Sequence, residues 1–283
     1  MVIPRVAAMK CAISQQQIET YQKQGFLVIE DFLDSAELTE WRGAVDEAVR
    51  ERNGIKIPGT TIKTGEDDGI NADTAYFGKV FDQLVNLWQT NARVRKLILN
   101  EKLGEAACRL SGSRGIRVWH DQALIKRPWA NPTTLHLDSP FWSFSSPDAL
   151  SIWVALDDAT LENGCLCFLP GTHRHTDYRS IGITPNMDTV FETYPELAST
   201  AAVRAPMRAG SASFHNGLCI HGAGPNMTTR SRRAMTCGFM PDGSTFNGEK
   251  NILPDEYLSR LKVGDLLNND IQNPLIFSRT ASA

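Results

Sequence analysis

The chain has 283 residues, a hydrophobic fraction of 42% and a net charge of −3. That is enough apolar material for a sizeable core, and no positive excess argues for a nucleic-acid surface. No apolar run is long enough to span a membrane, and Met1 to Ala8 lacks the basic start and apolar core of a signal peptide. The first predicted element is a helix opened by the capping box Ser14-Gln15-Gln16-Gln17 and closed at Gly25. A short strand over 26–29 follows. Leu38, Trp41, Val45, Ala48 and Val49 then recur at helical spacing, capped by Asp34 or Ser35. After a polar loop over 54–73, the spacing of Phe77, Val80, Phe81, Leu84, Leu87 and Trp88 predicts another amphipathic helix, and the helical pattern runs to about Leu110.

From Gly115 the pattern changes to short strands and turns. Residues 117–126 alternate, with His120, Gln122, Leu124 and Lys126 on one face. Residues 174–205 read as a long, polar, irregular interruption, the kind of loop that serves as a lid or binding segment. The tail from 242 to 283 offers one helix, 255–262, and otherwise reads as a surface arm. The expected organisation is one domain over 1–283, with a helical part over about 14–110, a β core over about 115–241 and the arm. Helices followed by about eight strands make a mainly β fold with flanking α, a helical layer on a sandwich or barrel.

Chemistry concentrates in Thr134-Leu135-His136-Leu137-Asp138-Ser139-Pro140 and, far along the chain, Ile220-His221-Gly222. An imidazole and a carboxylate separated by one residue in a strand share a face, and a second imidazole can close a three-cornered site. Two histidines and one carboxylate on one face of a metal, with the other positions open, suit a non-haem Fe(II) oxygenase. Neutral imidazoles are required, so metal binding is expected to weaken below about pH 6.5. Arg232 opens a strand over 232–239 in which Arg232, Ala234 and Thr236 share one face and Arg233, Met235, Cys237 and Phe239 the other. If that strand pairs antiparallel with the one bearing His221, Arg232 returns beside it, where a guanidinium can grip a carboxylate bidentately. The bland alternative is a solvated basic edge made by Arg230, Arg232 and Arg233.

The run from Trp153-Val154-Ala155-Leu156-Asp157-Asp158 through Glu162-Asn163-Gly164-Cys165 to Phe168-Leu169-Pro170-Gly171-Thr172-His173 resembles the phytanoyl-CoA dioxygenase family. His136-x-Asp138, the string His221-Gly222-Ala223-Gly224-Pro225-Asn226, Arg232 and the opening from Tyr21 to Leu33 belong to the same resemblance, which spans roughly Ile13 to Pro241. It implies a double-stranded β-helix, a cupin-like jelly roll buttressed by N-terminal helices. It also implies iron as metal, 2-oxoglutarate as cosubstrate, O2, and ascorbate as a stimulant. By resemblance, His136, Asp138 and His221 hold the iron, Arg232 meets the distal carboxylate of 2-oxoglutarate, Trp153 lies beside it, and Gln122 aligns with a further cosubstrate contact. Halogenating relatives replace the carboxylate ligand by a small residue, so Asp138 favours oxygen chemistry. His173 matches a structural histidine of the family.

Three residues keep open roles at this stage. His120 shares a face with Gln122 and is a candidate for contact with the substrate or with a metal ligand. His215, before the turn signal Asn216-Gly217, reads as a supporting or surface group. His175 forms a His-x-His pair with His173 that a loop role explains better. None of the six cysteines forms a Cys-x-x-Cys set, and Cys165-x-Cys167 reads as a pair of free thiols, which places the chain in a reducing, intracellular compartment. A small-molecule substrate is expected, with no nucleic-acid or membrane partner, acting in a monomer or homodimer. Two other readings compete with an oxygenase. A non-oxidative metal-barrel enzyme has no need of Arg232 and Trp153 near the metal, and a silent binding domain would have lost a ligand.

Overall fold

The computed structural model describes residues 9–52 and 74–279. The helices are α1 (Gln15–Gln24), α2 (Ser35–Arg52), α3 (Thr74–Phe77), α4 (Leu87–Thr90), α5 (Ala92–Ile98), α6 (Glu101–Ser111), α7 (Thr189–Thr193) and α8 (Asp255–Leu258). The strands are β1 (Phe26–Ile29), β2 (Asp82–Val85), β3 (Gly115–Lys126), β4 (Thr133–His136), β5 (Leu150–Ala155), β6 (Leu166–Phe168), β7 (Val203–Ala205), β8 (Ala212–Asn216), β9 (His221–Ala223), β10 (Arg232–Pro241) and β11 (Leu275–Ser278). The polar loop over 54–73 lies outside the described residues.

The start of the chain folds as its caps dictate. The Ser14 hydroxyl accepts from the Gln17 amide while the Gln17 side chain accepts from Ser14 N–H, and Gly25 ends α1 at φ +80°. Asp34 caps α2 by accepting from the Ala36 and Glu37 amides, and the Glu37 carboxylate accepts from Asp34 N–H. Trp41, Val45 and Ala48 of α2 and Ala106, Ala107 and Leu110 of α6 then bury against Ile152, Val154, Phe214, Met235, Cys237 and Phe239 of the sheet behind them.

That sheet has seven strands in the order β1-β8-β5-β10-β3-β11, with β2 also on β3, and every pairing is antiparallel. A second, four-stranded sheet runs β4-β9-β6-β7. The inner faces meet through Trp153, Ala155 and Ala234 from the large sheet and Leu166, Phe168 and Ala223 from the small one. Two antiparallel sheets packed face to face with helices behind the larger make the jelly roll expected from the sequence. Among the described residues no helix is long and apolar enough to cross a membrane.

Three expectations are corrected. The helix predicted over Phe77 to Trp88 is a short helix, a turn and the edge strand β2. Asn86 adopts φ +55°, a left-handed geometry Asn tolerates, and this breaks any helical path into α4. A short apolar run has no periodicity that separates helix from strand, and here pairing with β3 decides. Second, β9 and β10 do not pair. They lie in different sheets, and the connecting loop is tied down by the Asn226 amide, which donates to the carbonyls of Lys126, Arg127 and Arg230. Third, the tail is no surface arm. Phe246, Ile252, Leu253 and Leu267 pack on Trp119, Trp142, Phe144 and Met240, and β11 extends the large sheet.

Candidate active site

His136 ends β4 and His221 begins β9, and the two residues face each other across that ladder with ring centroids 4.3 Å apart. The strand stops at His136, so Asp138 sits on the following turn rather than on the strand. Its amide and that of Ser139 both donate to Gly217 O, which returns the carboxylate to the imidazoles. Asp138 Oδ1 lies 3.8 Å from Nε2 of His136 and 3.8 Å from Nε2 of His221. The three donor atoms all fall within 4.8 Å of one another.

The tautomers follow from the partners. His136 Nδ1 meets Thr134 O at 2.8 Å and His221 Nδ1 meets Cys219 O at 3.0 Å. A carbonyl only accepts, so each Nδ1 carries the proton and each Nε2 turns a lone pair toward the carboxylate. Three lone-pair donors converge with no hydrogen between them, at a spacing too long for hydrogen bonds. Such a set is complementary to a cation, and the donors fit iron.

Electrostatics keep the set ready to bind a metal. Burial lowers both imidazoles, His221 to about 3, despite the opposing Asp138 charge. Both imidazoles therefore stay neutral to lower pH than free histidine does, which moves the expected loss of metal binding below pH 6.5. Burial alone would raise the Asp138 carboxyl, but His221, His215 and His136 outweigh it and hold it well below the usual carboxylate range.

His215 takes the supporting one of its two open roles. It lies within β8 and is buried, not on a surface turn. Its Nε2 is 3.3 Å from Asp138 Oδ2, and Ser151 Oγ on the neighbouring strand donates to the same oxygen at 3.0 Å. The large sheet thus occupies Oδ2 and leaves Oδ1 for the imidazoles. The signal was alternation along β8: Phe214 enters the helix-side core, so Ser213 and His215 point into the barrel.

Opposite the triad lie the residues assigned to the cosubstrate. Arg232 begins β10 and is buried, with Nη1 donating to Gly164 O at 3.1 Å and its guanidinium 5.0 Å from the Trp153 ring centroid. Among the described residues its buried Nε has no hydrogen-bond partner. Burial lowers its pKa to about 10, so it stays charged at neutral pH. Arg233 points the other way, into Asp157 and Asp46, as the alternation predicts. Gln122 accepts from Gln83 Nε2 at 2.5 Å and turns its own Nε2 toward His120 Nδ1 at 3.4 Å. That makes His120 an acceptor at Nδ1 and leaves its proton on Nε2; burial lowers its pKa to about 4.

All seven sequence-selected residues, His120, Gln122, His136, Asp138, Trp153, His221 and Arg232, line one cavity of about 190 Å³. Phe77, Phe81, Leu137, Phe141, Trp142 and Ile183 form apolar walls. His173 lies elsewhere, its Nε2–H donating to Gln22 O, and it packs on Gly25, where a Cβ would sit 2.4 Å from its Nδ1. Its expected loop role stands.

A sequence model of the family described as phytanoyl-CoA dioxygenase matches residues 21–234. The chain belongs to the phytanoyl-CoA dioxygenase family. It is 28% identical over 238 residues to the human peroxisomal phytanoyl-CoA dioxygenase, covering 80% of this chain and 68% of that protein. To the phytanoyl-CoA dioxygenase domain-containing protein 1 homolog of Caenorhabditis briggsae it is 24% identical, covering 84% and 94%. Among solved structures, the non-haem α-ketoglutarate-dependent carbocyclase SnoK of nogalamycin biosynthesis superposes with a TM-score of 0.75. That match has 27% identity and covers 95% of this chain and 99% of SnoK. EctD from S. alaskensis, solved with 2-oxoglutarate and 5-hydroxyectoine, shares the fold at 18% identity and a TM-score of 0.68, covering 96% and 92%. This member of the family is a dioxygenase with the His-Asp-His centre in place.

Proposed function

We propose that the chain is an Fe(II)- and 2-oxoglutarate-dependent dioxygenase that oxidises a small organic molecule, hydroxylation being the simplest outcome, with release of succinate and CO2. The observation that carries this reading is the pairing, in one cavity, of three converging lone-pair donors with a buried guanidinium that makes no ion pair among the described residues. His136, Asp138 and His221 would hold the iron. Held there, it would supply the O2 activation that is coupled to oxidative decarboxylation of 2-oxoglutarate.

The remaining work belongs to the side chains. Arg232 takes the distal carboxylate of 2-oxoglutarate, whose charge satisfies the unpartnered Nε. Trp153 holds the guanidinium by its ring face and keeps water from that pair. His215 and Ser151 fix Asp138 through one oxygen, so that the other is presented to the metal. Gln122, oriented by Gln83 and His120, is the further cosubstrate contact, and His120 Nε2–H offers a donor to the substrate. The apolar walls favour the hydrocarbon part of a secondary metabolite. A carbocyclase and an epimerase stand among the structural neighbours, so hydroxylation is one of several outcomes this scaffold supports. Six free thiols favour a reducing, intracellular setting.

The test is an oxygen-electrode and succinate assay on the purified chain. Slow 2-oxoglutarate-dependent O2 uptake should require Fe(II), be sustained by ascorbate, be inhibited by Zn²⁺ and accelerate with the true substrate. Activity with Zn²⁺ alone, or turnover without 2-oxoglutarate, would sink the oxygenase reading.

A further inference from the structure

β3 carries a bulge beside the site. Gly238 of β10 faces His120 and Phe239 faces Val118, so Trp119 has no partner in that register. The extra residue shifts the alternation. Ile116 and Val118 point to the helix-side core, and so do Asp121 and Ala123, so the parity changes between 118 and 121. Trp119 and His120, adjacent in the chain, are therefore turned to the same side. A Cβ at Gly238 would lie 3.7 Å from Trp119 Cδ1, 3.7 Å from His120 Cε1 and 3.4 Å from Trp142 Cζ2. The side chain re-aimed by the bulge is a fully buried indole, and its Nε1–H donates to Asn251 Oδ1 at 3.2 Å. An indole N–H only donates, so the amide atom it meets is the oxygen, and Nδ2 faces away from it. Asn251 lines the cavity, and among the described residues its Nδ2 has no hydrogen-bond partner. Its backbone, at φ +39°, has a left-handed conformation that Asn tolerates. The turn is held on both sides of it. Ser143 Oγ donates to Lys250 O, Asn247 Nδ2 donates to Trp142 O, and Ile252 is buried in the cluster around Trp119.

We propose that Asn251 is a substrate-recognition residue, aimed by Trp119, whose Nδ2–H donates to a carbonyl oxygen on an uncharged, flat, unsaturated substrate. The proposal rests on the oxygenase reading above and names the substrate class for that site. Among the described side chains that line the cavity, only Asp138 and Arg232 carry charge, and metal and cosubstrate engage both. A charged group on the substrate would be buried there without a partner. His120, the other polar group at this end, is neutral and keeps its proton on Nε2, so it too is a donor. Two donors call for an oxygen that only accepts, which is a carbonyl. Phe77, Phe81, Phe141 and Trp142 supply ring faces and edges that suit a flat unsaturated body. Trp119 does not line the cavity itself. It is a positioning residue that acts through Asn251.

The experiment compares two probes of the same shape, 2-acetylnaphthalene and 2-isopropenylnaphthalene, which differ in C=O against C=CH2. Their Kd values are measured by ligand-observed NMR on the Zn²⁺-loaded protein, with and without saturating 2-oxoglutarate. The ketone loses more than the alkene on leaving water, but equally in every variant, so the Kd ratio of alkene to ketone reads the contact. Asn251→Gly, which the left-handed turn accepts, should lower that ratio about fivefold, the loss of one neutral hydrogen bond. Asn251→Asp keeps an oxygen for Trp119 and replaces the donor by a carboxylate oxygen, so it should lower the ratio at least as far. Trp119→Phe keeps a buried ring without the N–H and should lower it about threefold. A merely structural role for Trp119 would move both probes together and leave the ratio alone. A ratio unchanged in Asn251→Gly and Asn251→Asp overturns the proposal, as does a wild type that binds neither probe up to its solubility limit. An unchanged ratio in Trp119→Phe overturns the positioning role. If the wild type binds both probes but no 2-oxoglutarate, the oxygenase reading falls, and the ratios still decide the role of Asn251.

Discussion

The two arginines that open β10 divide binding from stability within two positions. Arg232→Ala removes one partner of a desolvated charge pair, a loss of about 2–5 kcal/mol, so the apparent constant for 2-oxoglutarate should rise about 30-fold or more. Arg233→Ala should leave that constant within about twofold and instead lower the urea midpoint, because its guanidinium clamps Asp157 and Asp46. Equal losses of cosubstrate affinity in the two variants would contradict the register. At the metal, His136→Ala or His221→Ala should abolish Fe(II) binding in a folded chain, read by calorimetry. In wild type, affinity should hold from pH 7.5 to about 6, because burial keeps both imidazoles neutral. The same depression acts on stability with a definite sign. In the unfolded chain these imidazoles take protons below about pH 6.5, whereas the folded ones do not, so metal-free stability should fall as pH drops through 6.5. Urea melts at pH 7.5 and 5.5 would measure it. The triad was legible in the sequence because its chemistry is carried by residue type and spacing. Ser151 was not, and His215 was left between a supporting and a surface role, because both gain their meaning only once β5 and β8 place them against Asp138.

Elements were read well wherever a local signal existed. The caps of α1 and α2, the alternation in β3 and β10 and the apolar face of α2 are all local, and each appears as expected. The failures share one cause, which is that pairing partners lie far apart in the chain. β2 is a strand because β3 offers an edge, and nothing in Asp82–Val85 announces it. β9 and β10 look like a hairpin in sequence but are drawn into opposite sheets by their partners. The tail has too little periodicity to declare a core role, yet Leu253 is 1% exposed against Trp119 and Met240. Leu253→Ala should therefore cost about 3 kcal/mol in denaturant unfolding. A loss below about 0.5 kcal/mol would return the tail to the status of a surface arm.

At the scale of the whole molecule, the metal ligands hang from the small sheet and its turn, while Arg232, Trp153 and Gln122 hang from the large one. Iron and cosubstrate together therefore join the two halves of the barrel. The metal alone should raise the melting temperature modestly and 2-oxoglutarate alone hardly at all. The pair should add about 2.7 kcal/mol more when the keto acid is at a hundredfold excess over its Kd. Additive shifts from the two ligands given separately would mean that they bind independently. The way β3 is bordered has a different consequence. On the side away from β10, its C-terminal half is covered by β2 and its N-terminal half by β11, two short strands from remote parts of the chain. Between them, Val118 N–H still donates to Pro274 O, and the Asn273 amide caps the carbonyls of Val118 and Trp119. A long central strand is thereby denied to other molecules. Losing the last covering strand would bare a row of unpaired amides and carbonyls able to add a strand from a neighbouring chain. A form of the protein ending before Leu275 should therefore aggregate at concentrations where the full chain stays dispersed, with light scattering rising before secondary structure is lost.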